Sequence, residues 1–376
     1  MGALGRDRER DRAGCLSHGA QSGAARRHGA RTRAADADAD GPFRQGRGAR
    51  RGRRLPGVGR RQLRHRPCAD HRRRIPRQRS QRVITRREFI VGIAGASAAL
   101  RIAPAVPDVR VGYAAITWRG RDLEAIADIA DAGYPGIQLR ATIVPEFISR
   151  PAALRDELAK RRLTFVALSS GNLRIDPAVE ADELGLHTRN ARFLRDAGGL
   201  YLQVIDERPK GRPIIPDDYT RLGHLMAELG KRTADIGIPL AYHHHMNSLG
   251  EKPDEIARIM DAADPRYVKL LLDIAHYQQG GGDPIRAVRQ YADRLIVVHV
   301  KDVESPIGSG RSSYRFVELG RGRVDVKGAF AALADVKFHG WVIVELDAVS
   351  DDARTPKEAA ILNKQYLEHE IGLRVG

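Results

Sequence analysis

Cysteine is almost missing from these 376 residues, which hold only Cys15 and Cys68, both ahead of residue 83. The rest of the chain therefore has no thiol chemistry and no disulfide, and any fold there depends on a large core. Acidic residues are scarce in the same early stretch. Residues 1–82 carry 24 Lys and Arg against 7 Asp and Glu, leaving 40 against 40 for residues 83–376, so the net charge of +17 belongs to the first fifth of the chain. Aromatics are lacking there too, Phe43 being the only one. Basic arms that bind nucleic acid interleave aromatics or adjoin a recognisable binding fold, so no nucleic-acid partner is expected. Runs such as Arg72-Arg73-Arg74, with much Gly and Ala and almost no aliphatic periodicity, cannot bury enough apolar surface to offset the entropy of ordering. Residues 1–82 are expected to be a disordered, dispensable leader, upstream of a true start near Val83.

Long hydrophobic runs are also missing. The apolar stretch from Ile90 to Leu100 is too short to cross a bilayer, so no stable membrane insertion is expected. Its flanks explain it. Thr85-Arg86-Arg87-Glu88-Phe89-Ile90 precedes it, and Arg101 and Ala103-Pro104-Ala105 follow. A charged start, a short apolar middle and an A-x-A site make an export signal, and the paired arginines address it to the twin-arginine (Tat) route. Residues 83–105 are read as this signal peptide, with the Tat export machinery as partner and a periplasmic or extracytoplasmic location.

From residue 108 short β-branched runs alternate with amphipathic segments, the pattern of a parallel sheet with crossover helices. The expected strands are 110–117, 136–140, 164–169, 200–205, 239–245, 268–274, 295–301 and 341–346. Leu123–Ala132, Asp217–Ile236 and Asp254–Ala263 read as helices, the last with Ile256, Ile259 and Met260 on one stripe. Gly133, Gly237 and Gly340 fall where helices hand over to strands. Eight βα units in about this length fit a closed (β/α)₈ barrel over residues 106–376. The G-x-G-x-x-G of a dinucleotide site is absent after the first strand. In such barrels the working groups stand at the C-terminal ends of the strands.

The last four strands each end in a potential metal ligand: His243, Asp273, His299 and Glu345. A lone strand-end His or Asp is ordinarily a satisfied structural polar group. Four in the same relative place on consecutive strands converge when the sheet closes. Side chains alternate faces along a strand, so His243 shares a face with His245 while His244 takes the other, and Lys301 shares the face of His299. Two imidazoles with two carboxylates suit one divalent ion, Mn²⁺ foremost, with Co²⁺, Zn²⁺ or Fe²⁺ as alternatives, rather than Ca²⁺ or Mg²⁺ alone.

The segments Tyr242-His243-His244-His245-Met246, Leu272-Asp273-Ile274-Ala275-His276, His299-Val300-Lys301-Asp302 and Gly340-Trp341-Val342-Ile343-Val344-Glu345 resemble the xylose isomerase-like barrel superfamily of sugar phosphate isomerases and epimerases. The resemblance spans roughly residues 110–370, and the His-His-His-Met segment is particularly similar to inosose dehydratases. It implies one divalent metal at the ends of the fifth to eighth strands, with His276 and Lys301 near the substrate. His243 departs from the pattern. Keto-sugar epimerases of the superfamily commonly have glutamate there, paired with the eighth-strand glutamate as acid and base, so a two-glutamate relay does not carry over. Glu251 is a less favoured substitute.

A divalent ion that chelates a ketone oxygen and its neighbouring hydroxyl stabilises the enediolate formed when the alpha proton leaves. Reprotonation gives epimerisation or isomerisation, and loss of a beta hydroxyl gives dehydration. Catalytic candidates are Glu345, His276, Lys301 and Glu207, of which Glu207 reads equally well as a solvated loop carboxylate beside Asp206 and Arg208. Lys301 suits an electrostatic partner of the oxyanion better than a base. His245, His276 and Lys301 are the expected substrate contacts. The reading is a metal-dependent isomerase or epimerase of a keto-sugar or related polyol ketone, with an inosose dehydratase-like lyase as alternative and an exported non-catalytic sugar-binding barrel as a rival of another class. A three-metal nuclease is disfavoured because Thr117, Gln138 and Ser169 end the first three strands. The sugar, its phosphorylation and assembly into a homo-oligomer are left open.

Overall fold

In the computed structural model, residues 107–304 and 314–376 are described. The expected leader (1–82) and twin-arginine segment (83–105) lie outside the described residues. Eight parallel strands close a barrel: β1 (Arg110–Ala114), β2 (Gly136–Arg140), β3 (Thr164–Leu173), β4 (Tyr201–Asp206), β5 (Leu240–His243), β6 (Val268–Asp273), β7 (Leu295–Val300) and β10 (Trp341–Val344). Between the last two lies a small antiparallel ribbon of β8 (Asp302–Val303) and β9 (Phe316–Val317). Sequence order runs unbroken around the barrel, and β10 closes on β1 through Arg110–Trp341 to Tyr113–Val344.

The expected strands all form, the second with the bounds expected and the others with shifted ends. The first stops at Ala114 because a 3₁₀ turn (Ala115–Trp118) follows and Arg119 adopts φ 52°. The fifth stops at His243, and Asn247 at φ 65° turns the chain away. The third runs on to Leu173 past an irregularity between Ser169 and Asn172.

The principal outer helices are α1 (Asp122–Asp131), α2 (Val144–Phe147), α3 (Pro151–Lys160), α4 (Glu180–Asp196), α5 (Pro216–Ala234), α6 (Pro253–Ala262), α7 (Ile274–Gln279), α8 (Pro284–Gln290), α9 (Val326–Asp335) and α10 (Pro356–Tyr366). On α6, Ile256, Ile259 and Met260 are buried, the stripe expected from the helical period. One apolar core fills the space between helices and sheet. A second, smaller one lies inside the barrel, where Val166, Ala241, Leu271, Val297, Trp341 and Ile343 form a plug. Such a packed interior leaves only the strand C-termini open for chemistry.

Candidate metal centre

Each polar group at the rim is placed by a short local device. Asp273, the last residue of β6, caps α7: its Oδ1 accepts from the backbone N–H of Ala275 at 2.9 Å and of His276 at 2.8 Å. Its Oδ2 is buried and has no hydrogen-bond partner. The same carboxylate thus holds the helix start with one oxygen and presents the other inward.

His299 on β7 donates Nε2–H to Gln138 Oε1 at 2.9 Å, since an amide oxygen only accepts. Its Nδ1 lies 3.7 Å from Asp273 Oδ2 and 3.4 Å from Glu345 Oε2. Burial opposes a charge on the ring, but without a metal these carboxylates outweigh burial and raise the imidazole to about 9, so Nδ1 carries a proton that a bound cation would replace. His243 stands beside it, ring centroids 4.7 Å apart. His243 Nδ1, Asp273 Oδ2 and His299 Nδ1 are all buried without a partner. Each such orphan costs about 1–3 kcal/mol. Donor atoms of His243, Asp273, His276 and Glu345 also lie within 4.8 Å of one another. His276 is the less available of the two remaining imidazoles, because Met246 N–H approaches its Nδ1 at 3.3 Å and the Lys301 ammonium its Nε2 at 3.3 Å. Imidazole nitrogens and carboxylate oxygens gathered this closely, three of them without a hydrogen-bond partner, fit one divalent cation.

Lys301 is fully buried. Its Nζ lies 3.0 Å from Glu345 Oε1 and 2.6 Å from Asp347 Oδ1, and 4.0 Å above the Phe316 ring. Burial opposes its charge, but Asp347 and Glu345 outweigh burial and hold it above the ordinary lysine range. Glu345 shows the converse: burial raises it, while His299 and Lys301 together hold it well below the carboxylate range. His276 is pushed well below the usual histidine value by burial and by His245 and Lys301, so it is uncharged at neutral pH.

His245 lines the cavity above the cluster. Its Nδ1–H donates to the Met246 carbonyl at 2.7 Å, which leaves Nε2 as an acceptor, and its ring lies 3.8 Å from that of His276. His244 points elsewhere, as strand alternation requires. Its Nε2 accepts the Asp273 backbone N–H at 3.3 Å, and its ring meets Tyr277 edge-on.

The structure thus brings His243, His245, Asp273, His276, His299, Lys301 and Glu345 together. It does not bring Glu207, which pairs with Lys210 at 2.5 Å and lines a separate hollow with Arg174 and Arg212. Its backbone is drawn outward by the lengthened β3, whose Leu173 carbonyl accepts the Glu207 N–H at 3.3 Å. Glu251 is held by Arg208 at 2.9 Å and by the Asn247 N–H at 2.9 Å, away from the donors. Two contributors were not singled out by sequence. Gln138 joins His299 to Glu345, its Nε2 donating to Glu345 Oε2 at 3.3 Å, and Asp347 anchors Lys301. Inward parity at a barrel strand end was the available signal for Gln138, and two-residue spacing from Glu345 was the signal for Asp347. Asp206 organises the loop after β5, accepting from Tyr242 Oη at 2.7 Å, Ser248 Oγ at 3.1 Å and the N–H of Gly250 at 3.1 Å.

A cavity of about 180 Å³ opens over the cluster. Gln138, His243, His245 and Glu345 form its inner side, and Arg140, Asn172 and Gln203 belong to its lining as well.

A family model described as xylose isomerase-like TIM barrel matches residues 126–365. The chain is 28% identical over 302 residues to an inosose dehydratase of Bacillus velezensis, covering 70% of this chain and 97% of that protein. It is 27% identical over 303 residues to an inosose dehydratase of Geobacillus kaustophilus, covering 70% and 94%. The fold is similar to that of IolI protein with a bound zinc atom (TM-score 0.61, 18% identity, 70% and 98% covered). It is also similar to that of an L-ribulose 3-epimerase (TM-score 0.58, 19% identity, 70% and 95% covered).

Proposed function

The chain belongs to the xylose isomerase-like TIM barrel family, and from that premise we propose that it is a divalent-metal enzyme acting on a keto-sugar or related polyol ketone through an enediolate. The observation that carries this reading is the convergence of His299 Nδ1 on Asp273 Oδ2 at 3.7 Å and Glu345 Oε2 at 3.4 Å, all buried, with the His243 ring 4.7 Å from that of His299. A divalent ion held by His243, Asp273, His299 and Glu345 would polarise the ketone oxygen and its neighbouring hydroxyl. The zinc atom of the similar IolI structure supports Zn²⁺ among the candidate ions, and Mn²⁺, Co²⁺ and Fe²⁺ remain compatible with the donor set.

The chain's own groups supply the proton chemistry. His245 Nε2 faces the cavity with its lone pair fixed by the Met246 carbonyl, which suits removal of the alpha proton. Lys301, kept charged and desolvated, opposes the negative charge that develops on the ketone oxygen. The His276 Nε2 lies 3.3 Å from the Lys301 ammonium and its ring 3.8 Å from that of His245, so it holds Lys301 and backs the His245 ring. Isomerisation or epimerisation follows when the proton returns from a protein group.

A second reading, dehydration, is favoured by one observation. Glu345 is the only carboxylate among the described residues lining the cavity, so no facing carboxylate pair is present to carry a proton across the substrate, and dehydration does not require one. The curated relatives named inosose dehydratase, matched over nearly their whole length, support the same exit. Incubation of the metal-loaded protein with a panel of keto-sugars and inososes in D₂O tests both. Deuterium uptake at the alpha carbon reports the shared enediolate, and mass spectrometry separates loss of water from isomerisation. Binding without uptake or turnover on the whole panel would leave a non-catalytic sugar-binding barrel. Export along the Tat route is proposed on residues 85–105 alone, and cell fractionation with N-terminal sequencing of the exported protein checks it.

A further inference from the structure

The barrel wall formed by β2, β3 and β4 carries a polar row that the chemistry above does not use. Arg140, Ser169 and Gln203 are register partners on these three neighbouring strands. All three line the cavity that also holds His243, His245 and Glu345. Strands lie about 4.8 Å apart, so the row spans about 10 Å across the mouth. Arg140 is two residues beyond Gln138 on β2, and Gln138 touches both His299 and Glu345. Two residues of strand rise by about 7 Å, which sets Arg140 one side-chain level outward of the metal donors on the same face.

Each member of the row is open to a ligand. Arg140 is exposed at the end of β2, and its interaction among the described residues is a through-space attraction to Asp122, with no ion pair within 4 Å. The nearby Asp122 is engaged by Thr142 Oγ1 at 2.8 Å. By contrast Arg174, Arg208 and Arg212 at neighbouring loops and Arg221 on α5 are each tied to a carboxylate. Gln203 is 1% exposed, and its Oε1 is buried with no partner. A buried amide oxygen facing a cavity calls for a hydroxyl donor.

We infer that this row is a substrate subsite for a polyol acid, in which Arg140 takes a carboxylate distal to the ketone and Gln203 Oε1 accepts a hydroxyl between them. A single planar guanidinium matches a carboxylate bidentately. A phosphate would be expected to draw further cations, and Arg140 is the only Lys or Arg among the described cavity-lining residues. The inference rests on the reading of a keto-sugar site and narrows its substrate to an anionic one.

Fructose, fructuronate and fructose 6-phosphate differ only at the carbon farthest from the ketone, and they probe the subsite directly. Titration calorimetry of the full-length, metal-loaded protein is expected to give tightest binding for fructuronate, weakened by salt. Arg140→Gln should weaken fructuronate by about 10–100-fold, the size of a lost charged hydrogen bond, and leave fructose unchanged. Gln203→Leu should weaken both. Arg140→Lys should recover part of the fructuronate affinity, which separates recognition from misfolding. Equal affinity of wild type and Arg140→Gln for fructuronate overturns the inference, as does a wild-type preference for fructose 6-phosphate or for fructose. Fructuronate that binds through Arg140 yet never exchanges its alpha proton would instead count against the enzymatic reading and leave the subsite standing.

Discussion

Single residues decide whether the cluster can hold a cation at all, and Gln138 shows how. Its amide uses both ends: the oxygen takes the His299 Nε2–H, and the nitrogen donates to Glu345. Without it the His299 ring loses the acceptor that fixes its orientation, and Glu345 is free to turn. Gln138→Leu is therefore expected to lower metal affinity by about 10–100-fold, the range for groups that orient ligands. Gln138→Glu keeps the acceptor for His299 but places a carboxylate against Glu345, so it should not restore wild-type affinity. Competition titration with a chelating dye measures both, and wild-type affinity in the leucine variant would remove Gln138 from this role. His244 sets a pH dependence. Burial lowers its pKa from 6.5 to about 4, so the folded state resists a proton that the unfolded chain accepts. Its contribution to stability is full above pH 6.5 and is lost as pH falls from 6.5 towards 4, by up to about 3 kcal/mol. His243 and His276 are shifted in the same direction. His244→Gln keeps an acceptor for the Asp273 N–H but cannot titrate. The urea midpoint of the metal-free variant should fall less steeply between pH 6.5 and 4 than that of the metal-free wild type.

At the scale of elements, strand ends were legible and their neighbours were not. The β-branched runs marked all eight barrel strands, because buried parallel strands read as apolar segments. The quartet His243, Asp273, His299 and Glu345 stood out because equivalent positions of a closed barrel repeat with the βα unit. Partners across the barrel left no such trace: Gln138 and Glu345 are 207 positions apart, and only closure brings them together. Glu207 was placed wrongly for the same reason, since its direction depends on how far β3 runs beside β4. The 3₁₀ turn after β1 and the turn at Asn247 after β5 were invisible to residue alternation. Closure itself makes a demand that alternation does not reveal. A Cβ on Gly136, at the start of β2, would overlap the Trp341 ring and lie 2.8 Å from Val166 Cγ2. Trp341 belongs to the plug inside the barrel and cannot retreat. Gly136→Ala should therefore cost about 1–3 kcal/mol as an overpacked core, read as a lowered thermal midpoint with metal stoichiometry unchanged in whatever folds.

For the molecule as a whole, the proposed metal and the fold would be thermodynamically linked. Asp273 serves both, capping α7 through Oδ1 while Oδ2 faces the donors. Asp273→Asn retains an acceptor for the cap and loses the anionic donor. Wild type should gain about 2.7 kcal/mol at a hundredfold excess of metal over its dissociation constant, and the asparagine variant should gain far less at the same concentration. Among the described residues the barrel closes from Arg110 onward. Its first strand hydrogen-bonds to β10 in register from Arg110 onward, and the Arg110 N–H meets the Gly340 carbonyl at 2.9 Å. All eight strands, the four donors and the cavity lie between Arg110 and Glu345. A protein shortened to begin at Pro107 is accordingly expected to fold, to bind one equivalent of metal and to show the same metal-linked rise in thermal midpoint as the full chain. Asp273→Asn in the shortened protein should abolish that rise as it does in the full one. A shortened protein that is unfolded, or folded with weaker metal binding, would mean that residues 1–106 complete the barrel or its site, and the reading of those residues as leader and signal would fall with it.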